Sequence, residues 1–126
     1  MVTSPTNDFV IRIKNAAKAR KTQITVPYSK AKEAIAKVMV KEGYLASAKK
    51  NGNNFVCEIA YIANEPRLVD ARNVSTPSLH VYKKAKEIKN NKKRFVTWIV
   101  STPAGVMSGR EAGKKGLGGE VIAEVW

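Results

Sequence analysis

Two hydroxyl side chains, Ser101 and Thr102, begin a short polar segment that ends at Gly105. The segment follows the β-branched and aromatic run 95–100, which reads as a strand, and a helix start is predicted a few residues after it. Hydroxyl groups and backbone N–H groups between a strand end and a helix N-terminus suit phosphate and sugar oxygens. Ser, Thr, Pro and Gly between two elements are also typical of a plain connecting turn, which the local pattern alone favours.

A helix of about two turns is predicted directly after Ser108. Ser108 begins an S-x-x-E pattern, the capping box that satisfies free backbone N–H groups at a helix start. Lys114 and Lys115 suit the negative C-terminal end of a helix, and Gly116 suits the left-handed residue that ends it. Residues 120–126 read as a strand. The expected order is strand, polar loop, short helix, strand.

The last quarter of the chain, STPAGVMS followed by REAGKKGLGGEVIAEVW, resembles the C-terminal signature of the bacterial small-subunit ribosomal protein S-eight family. The residues that match this signature are Ser101, Thr102, Gly105, Val106, Met107, Ser108, Gly118, Gly119 and Glu120. Pro103, Ala104 and Gly109 depart from it, because the family pattern has Ser, a basic residue and Asp there. The resemblance implies RNA contacts by Ser101, Thr102, Gly105, Val106, Met107, Ser108 and Glu120.

The N-terminal half carries the same resemblance in two places. DFVIRIKNA at 8–16 is similar to the first helix of the family and includes Arg12. PYSK at 27–30 is similar to the family's Pro-x-Ser-Lys, which makes Lys30 the strongest candidate for an RNA contact in this half. Taken alone, cations such as Arg12 on a helix face are typical of a solvated surface.

STPSLHVYK at 75–83 is similar to the family's Ser-Arg-Pro-Gly-Leu-Arg-x-Tyr-Lys. Tyr82 and Lys83 match, whereas two cations of the pattern are absent, one of them replaced by His80. The ring of Tyr82 suits stacking on a base or ribose, and equally suits a half-buried place in a strand. His80 fits a surface strand residue better than a ligand or a base.

The charge balance favours a polyanionic partner. Lys and Arg number 23 against 10 Asp and Glu, which gives a net charge of +13. Residues 83–94 hold seven cations and one acid, and they read as a basic strap or a frayed helix. Because this run precedes the strand that leads to Ser101, we expect phosphate contacts from it. Glu120, beside RNA, is expected to accept a hydrogen bond or to orient a nearby cation.

Signatures of catalysis and of cofactor binding are incomplete. The run 109–115 is one residue short of a Walker A loop and lacks its Ser or Thr. One His, one Cys and no G-x-S-x-G elbow leave no basis for a metal cluster or a nucleophilic site. We therefore expect a non-enzyme with no catalytic residue, no metal and no cofactor. Cys57 is expected to be a reduced core residue.

The order of predicted elements indicates an α/β (α+β) fold with two small packed domains. Residues 1–64 are expected to form an αβαββ domain, and residues 65–126 a β-rich, RNA-binding domain with one short helix. The expected strands are 23–26, 44–50, 53–61, 68–75, 79–82, 95–100 and 120–126. At about 60 residues each, the domains approach the size at which one core is marginal, so we expect them to depend on each other or on RNA.

Three local details of the first domain are also predicted. A helix should run from about residue 5 to residue 20. A second helix, capped by Ser29, should bury one face and expose the other. The predicted inward residues are Ala31, Ile35, Val38 and Met39, and the predicted outward residues are Lys30, Lys32, Lys37 and Lys41. The dipeptide Asn51-Gly52 should form a type I′ hairpin turn.

The resemblance implies a structural constituent of the small ribosomal subunit. It implies a primary binder of the central domain of 16S-type rRNA that helps assemble the subunit platform, contacts neighbours such as ribosomal proteins S-five and S-twelve, and is not a homo-oligomer. The alternative is a generic basic nucleic-acid-binding or architectural protein. No signal peptide and no membrane-spanning apolar run occur in the sequence, so we expect a cytoplasmic protein with no membrane partner.

Overall fold

A computed structural model describes residues 4–91 and 95–126. The first elements, in order, are α1 (Ser4–Lys18), β1 (Gln23–Pro27), α2 (Lys30–Lys41), β2 (Leu45–Asn51) and β3 (Asn54–Ile59). They are followed by β4 (Tyr61–Ile62), β5 (Glu65–Pro66), β6 (Ala71–Asn73), β7 (Tyr82–Lys83), α3 (Ala85–Lys89), β8 (Thr97–Thr102), β9 (Gly105–Ser108), α4 (Gly109–Lys115) and β10 (Gly119–Val125). The fold is mixed α/β, and the αβαββ order predicted for the first part is confirmed.

The strands form antiparallel sheets. The order β1-β3-β2 makes one sheet, β4 and β5 pair as a small hairpin, and the order β6-β10-β8-β9 makes the largest sheet. β7 pairs with the first residues of β10, while β6 pairs with its last residues. On its other side, β10 pairs with β8. β10 therefore joins three strands that are far apart in sequence.

One hydrophobic core connects the first and second parts of the chain. Phe9 and Ile13 of α1 and Phe55 of β3 are buried together with Ile99 of β8 and Ile122 of β10. The rings of Phe9 and Phe55 lie 6.2 Å apart. The buried face of α1 thus packs against strands from both parts.

The predicted domain boundary, after residue 64, falls inside the turn between β4 and β5. The two turn residues, Ala63 and Asn64, both have positive φ angles, 51° and 66°. This is the type I′ pattern, whose twist matches a two-residue hairpin. The division into two domains stays a prediction.

Helix α2 buries Ile35, Val38 and Met39 as predicted, but its first turn differs from the prediction. Ala31 is exposed, while Lys32 is buried. The ammonium group of Lys32 donates to the carbonyl oxygen of Pro27 at 2.8 Å, so its charge is satisfied while its aliphatic stem covers the core. Ser29 caps the helix as predicted, because its hydroxyl accepts from the backbone N–H of Lys32 at 3.2 Å.

The hairpin between β2 and β3 turns one residue later than predicted. Asn51 pairs with Asn54, so the turn residues are Gly52 and Asn53. Gly52 has a φ of 61°, and Asn53 is not among the residues with positive φ. This is the type II′ pattern, in which glycine occupies the first central position. The predicted type I′ turn at Asn51-Gly52 is wrong.

The last part of the chain contains more elements than predicted. A second short helix, α3, lies within the basic run 83–94, because Ile88 is buried against α4. An additional strand, β9, precedes α4. Of the strand predicted over 68–75, only residues 71–73 form a strand, β6. Residues 92–94, the end of the predicted basic strap, lie outside the described residues.

Candidate nucleic-acid interface

Three of the predicted site residues lie side by side across the largest sheet. Glu120 of β10 pairs with Tyr82 of β7 on one side and with Ser101 of β8 on the other. Neighbouring strands are about 4.8 Å apart, so these residues occupy one rung of three adjacent strands. We call this arrangement the Tyr82–Glu120–Ser101 rung.

A cleft lies beside this rung, and most of its wall consists of predicted site residues and their neighbours. The lining residues are Tyr82, Lys83, Lys84, Glu87, Ser101, Thr102, Pro103, Gly118, Gly119 and Glu120. Tyr82 is 69% exposed, so it is not the half-buried strand aromatic that was one of the two predicted alternatives. Its ring offers an open apolar face beside Lys83 and Lys84.

Gly118 and Gly119 allow the strands around the cleft to approach closely. A Cβ atom on Gly119 would lie 2.1 Å from the carbonyl oxygen of Ser101, and a Cβ atom on Gly118 would lie 2.7 Å from that of Lys83. Both distances are far below a van der Waals contact, so only glycine fits at either position. The Gly-Gly pair thus sets the position of the rung.

The segment that begins at Ser101 is not the predicted loop before a helix. Ser101 and Thr102 are the last residues of β8, and a two-residue turn leads into β9. The Thr102 hydroxyl donates to the carbonyl oxygen of Gly105 at 2.7 Å and accepts from the N–H of Ala104 at 3.2 Å. It therefore closes the turn instead of facing outward, and Thr102 is only 8% exposed. Ser101 is half-buried on the cleft wall.

The other predicted residues of this signature lie on β9. Gly105 is exposed and has a φ of 121°. Val106 packs against the main core, and Met107 is buried in a smaller core with Ala112 of α4. The hydroxyl of Ser108 accepts from the N–H of Glu111 at 3.2 Å and so caps α4 as predicted. These side chains support the hairpin and the helix.

The carboxylate of Glu120 contacts the ring of His80, and the two roles predicted for Glu120 beside RNA stay predictions. Its carboxylate lies 2.5 Å from Nδ1 of His80, and the two side chains are 5% and 38% exposed, respectively. His80 was not among the predicted site residues. Residues two apart on an extended chain share a face, so the spacing between His80 and Tyr82 was a signal that could have found it.

Ser75 is a second residue that sequence reasoning missed. Its buried hydroxyl donates to the carbonyl oxygen of Val121 at 2.7 Å and accepts from the N–H of Val81 at 2.9 Å. Val81 is also bound through its carbonyl oxygen, which accepts from the N–H of Val121 at 2.9 Å. Ser75 thereby fixes the segment that presents His80 and Tyr82.

The start of the basic run 83–94 lines the cleft. Lys83 is the last residue of β7, and Lys84 is the N-cap of α3. The Glu87 carboxylate accepts from the backbone N–H of Lys84 at 3.1 Å and lies 3.9 Å from the ammonium nitrogen of Lys83. Both lysines are at the rim of the cleft, and the Lys83 side chain is partly exposed. The run therefore forms a cationic rim.

Arg12 and Lys30 do not line the cleft. Arg12 is exposed on α1, where it lines a separate groove with residues of β1, and Lys30 is the exposed first residue of α2. Cations elsewhere on α1 have acidic partners: Lys14 and Lys18 each lie 3.5 Å from a carboxylate oxygen of Asp70. Five of the eleven predicted residues thus line the cleft, namely Tyr82, Lys83, Ser101, Thr102 and Glu120, and the other six do not.

The sequence matches a known family along nearly its whole length. The family model described as Ribosomal protein S8 matches residues 4–126. The chain belongs to this family. The small ribosomal subunit protein uS8 of Alcanivorax borkumensis is 43% identical over 121 residues, which cover 94% of this chain and 93% of that protein. Its counterpart in Persephonella marina is 39% identical over 136 residues and covers 100% of both chains. That of Mycoplasmopsis synoviae is 36% identical over 130 residues, covering 99% and 98%.

Membership of the S8 family establishes the broad function. The chain is a structural protein of the small ribosomal subunit, located in the cytoplasmic ribosome, and it is not an enzyme. Its partners are rRNA and other ribosomal proteins. Within the described residues, no helix is long and apolar enough to cross a membrane.

Two further observations concern chemistry that the sequence made improbable. Among residues 4–91 and 95–126, no three His, Cys, Asp or Glu side chains are grouped so that they could hold a metal ion. Cys57 is buried in the main core as predicted, and burial raises the pKa of its thiol to about 12. A thiol in this state is a poor nucleophile at neutral pH.

Proposed function

We propose that this S8-family chain is a primary rRNA-binding protein that docks its cleft onto the central domain of small-subunit rRNA. In this role it helps to assemble the subunit platform and contacts neighbours such as ribosomal proteins S-five and S-twelve. It acts as a monomer and not as a homo-oligomer. The observation that carries the proposal is the Tyr82–Glu120–Ser101 rung, which presents an open aromatic ring, a hydroxyl and a cationic rim in one cleft.

Each part of the cleft suits a different group of RNA. Lys83 and Lys84 neutralise phosphates, which supplies affinity without sequence preference. The exposed ring of Tyr82 stacks on a base or a ribose. The Ser101 hydroxyl exchanges hydrogen bonds with a 2′-hydroxyl, the group that distinguishes RNA from DNA. Selectivity then comes from the shape of a distorted minor groove that fits the cleft.

The cationic rim also compensates for a departure from the family signature. Pro103 and Ala104 stand at the exposed tip of the β8–β9 turn, where the signature has a hydroxyl and a cation. Lys83 and Lys84 lie across the same cleft from Pro103. Arg12 and Lys30 add phosphate contacts on other parts of the surface. The β9 residues Gly105, Val106, Met107 and Ser108 act through the backbone that they hold in place.

A salt titration of RNA binding tests this proposal. The wild type, Tyr82→Ala and a control, Ile62→Ala, are compared on a central-domain fragment of small-subunit rRNA with scrambled RNA as competitor. Ile62 is a suitable control because it is 58% exposed in the separate β4–β5 hairpin. Loss of one stacked base is expected to weaken binding of Tyr82→Ala about tenfold without changing the salt slope. Ile62→Ala should bind like the wild type.

Two outcomes would contradict the proposal. If the wild type binds scrambled RNA as tightly as the fragment, the chain is a generic basic binder in this assay. If Tyr82→Ala and Ile62→Ala bind the fragment equally well, the cleft is not the contact surface.

A further inference from the structure

The chain contains a single histidine, His80, and the fold places it against Glu120, which lines the proposed RNA cleft. Its Nδ1 atom lies 2.5 Å from a carboxylate oxygen of Glu120, and the Glu120 side chain is only 5% exposed. The His80 side chain is 38% exposed, so part of the ring is accessible to a ligand. Glu120 also belongs to the Tyr82–Glu120–Ser101 rung, so this contact is part of the cleft architecture.

The contact with Glu120 distinguishes the two ring nitrogens of His80, because only Nδ1 faces the carboxylate. An ionised carboxylate only accepts hydrogen bonds, so Nδ1 of His80 carries the hydrogen. The second proton of an imidazolium ring would therefore reside on Nε2. Without that proton, Nε2 is an acceptor and repels a phosphate oxygen. With it, Nε2 is a donor on a cationic ring and binds a phosphate oxygen.

We propose that the Glu120–His80 pair is a proton-dependent phosphate contact of the rRNA cleft, in which Glu120 positions the ring and Nε2 binds an RNA phosphate only when protonated. This inference rests on the proposed function. It assigns to this chain a positioning role for Glu120 and a contact role for His80 that strengthens RNA binding as the pH falls.

Three charged side chains among the described residues line the cleft together with Glu120. Lys83, Lys84 and Glu87 come from β7 and from the start of α3, and β8 contributes the uncharged Ser101 and Thr102. On the segment 75–81, His80 is the only titratable residue. Histidine is the only one of these residue types that ordinarily changes its charge between about pH 5.5 and pH 8.

The experiment compares the wild type with His80→Gln, which cannot gain a proton, and His80→Lys, which carries a permanent cation. Affinity for the central-domain rRNA fragment is measured at several pH values from 5.5 to 8, with salt slopes at both ends and scrambled RNA as competitor. One charge-assisted hydrogen bond predicts about tenfold tighter binding by the wild type at the acidic end and a salt slope larger by about one. His80→Gln should bind weakly and His80→Lys tightly, each with little dependence on pH.

A second measurement tests the positioning role without RNA. Because there is one histidine, the ¹⁵N spectrum of the free protein reports its tautomer without assignment work. At pH 8 the hydrogen is expected on Nδ1, and a hydrogen on Nε2 would overturn the inference. Circular dichroism and melting temperatures verify that the two His80 variants fold.

The outcomes separate this inference from the proposed function. If the wild type prefers the fragment over scrambled RNA but shares the pH profile of His80→Gln, the proton-dependent contact is wrong while the rRNA-binding function stands. If the wild type shows no preference for the fragment at any pH, both are overturned.

Discussion

Asn7 and Asn73 tie α1 to the segment that leads into the proposed RNA cleft. The side-chain amide of Asn73 donates to the backbone carbonyl of Asn7 at 3.1 Å, and the side-chain amide of Asn7 donates to the backbone carbonyl of Ser75 at 3.1 Å. Since Ser75 in turn holds Val81 and Val121, the position of His80 and Tyr82 depends on a helix that lies about seventy residues earlier.

Replacing Asn7 by Ala should therefore lower both stability and selectivity. Loss of the bond to Ser75 is expected to cost about 1 kcal/mol of unfolding free energy. It should also loosen the segment 75–81 and weaken selective RNA binding. Asn15→Ala, at an exposed position of the same helix, is the control and should change neither. Urea unfolding and the competition assay measure the two effects, and equal behaviour of both variants would contradict this coupling.

Gly119→Ala should distort the rung more than any other single methyl group. The added Cβ would lie 2.1 Å from the carbonyl oxygen of Ser101, so β8 and β10 must separate, at a cost of about 3 kcal/mol. At Gly52 nothing lies within 4 Å of an added Cβ, and only the φ of 61° is unfavourable. Gly52→Ala should therefore cost only about 1 kcal/mol and leave RNA binding intact. Thermal unfolding measures the loss of stability in both variants. Equal losses would show that the close approach of Gly119 to the Ser101 carbonyl does not exclude a Cβ atom.

Substitutions of Ser101 and Thr102 should have different effects, one on RNA recognition and the other on protein stability. Thr102→Val keeps the shape of the side chain but removes the hydroxyl that closes the β8–β9 turn, so it should cost about 1 kcal/mol of unfolding free energy. Ser101→Ala should change stability by less than about 0.5 kcal/mol and should reduce the preference for the rRNA fragment. If Ser101→Ala lowers the unfolding free energy more than Thr102→Val does, these roles of the two hydroxyls are wrong.

The carboxylate of Glu111 should make stability depend on pH in the acidic range. Hydrogen bonds from Lys115 and Lys41, each at 3.2 Å, lower the pKa of Glu111 below its usual value. A depressed folded-state pKa contributes stability above the unfolded pKa of about 4.3, and the contribution disappears as the pH falls through the lower folded value. The effect should be small, because both lysines are exposed.

Glu111→Gln tests that pH dependence. The variant should be less stable than the wild type at pH 7, and the difference should disappear as the pH falls through the lowered folded-state pKa of Glu111. Glu58→Gln, on an exposed position of β3, controls for the loss of one negative charge. A constant difference between wild type and Glu111→Gln across the pH range would exclude the proposed ion pairs as its source.

The sequence predicted those features that a few neighbouring residues determine. The cap of α4 by Ser108 and its end at Gly116 were predicted because both motifs are complete within nine residues. The N-terminal order αβαββ followed from hydrophobic periodicity. The resemblance pointed to Tyr82, Ser101 and Glu120, which the fold then placed on one rung.

What the sequence did not predict depends on contacts between distant residues. β9 has no strand-like alternation, and it exists because it pairs with β8 through a turn that Thr102 closes. Lys32 is buried because the carbonyl of Pro27 lies within reach of its ammonium group. The Glu120–His80 contact joins residues forty positions apart, which no local pattern contains.

The largest sheet cannot form until β10 has been synthesised. Strands β6, β7 and β8 all pair with it, yet it is the last element in chain order. A growing chain that has already made Tyr82 and Ser101 still lacks the strand that places them next to each other. The proposed RNA surface therefore forms only after the final strand has been synthesised, so a prematurely terminated chain without β10 would not compete with finished protein for rRNA.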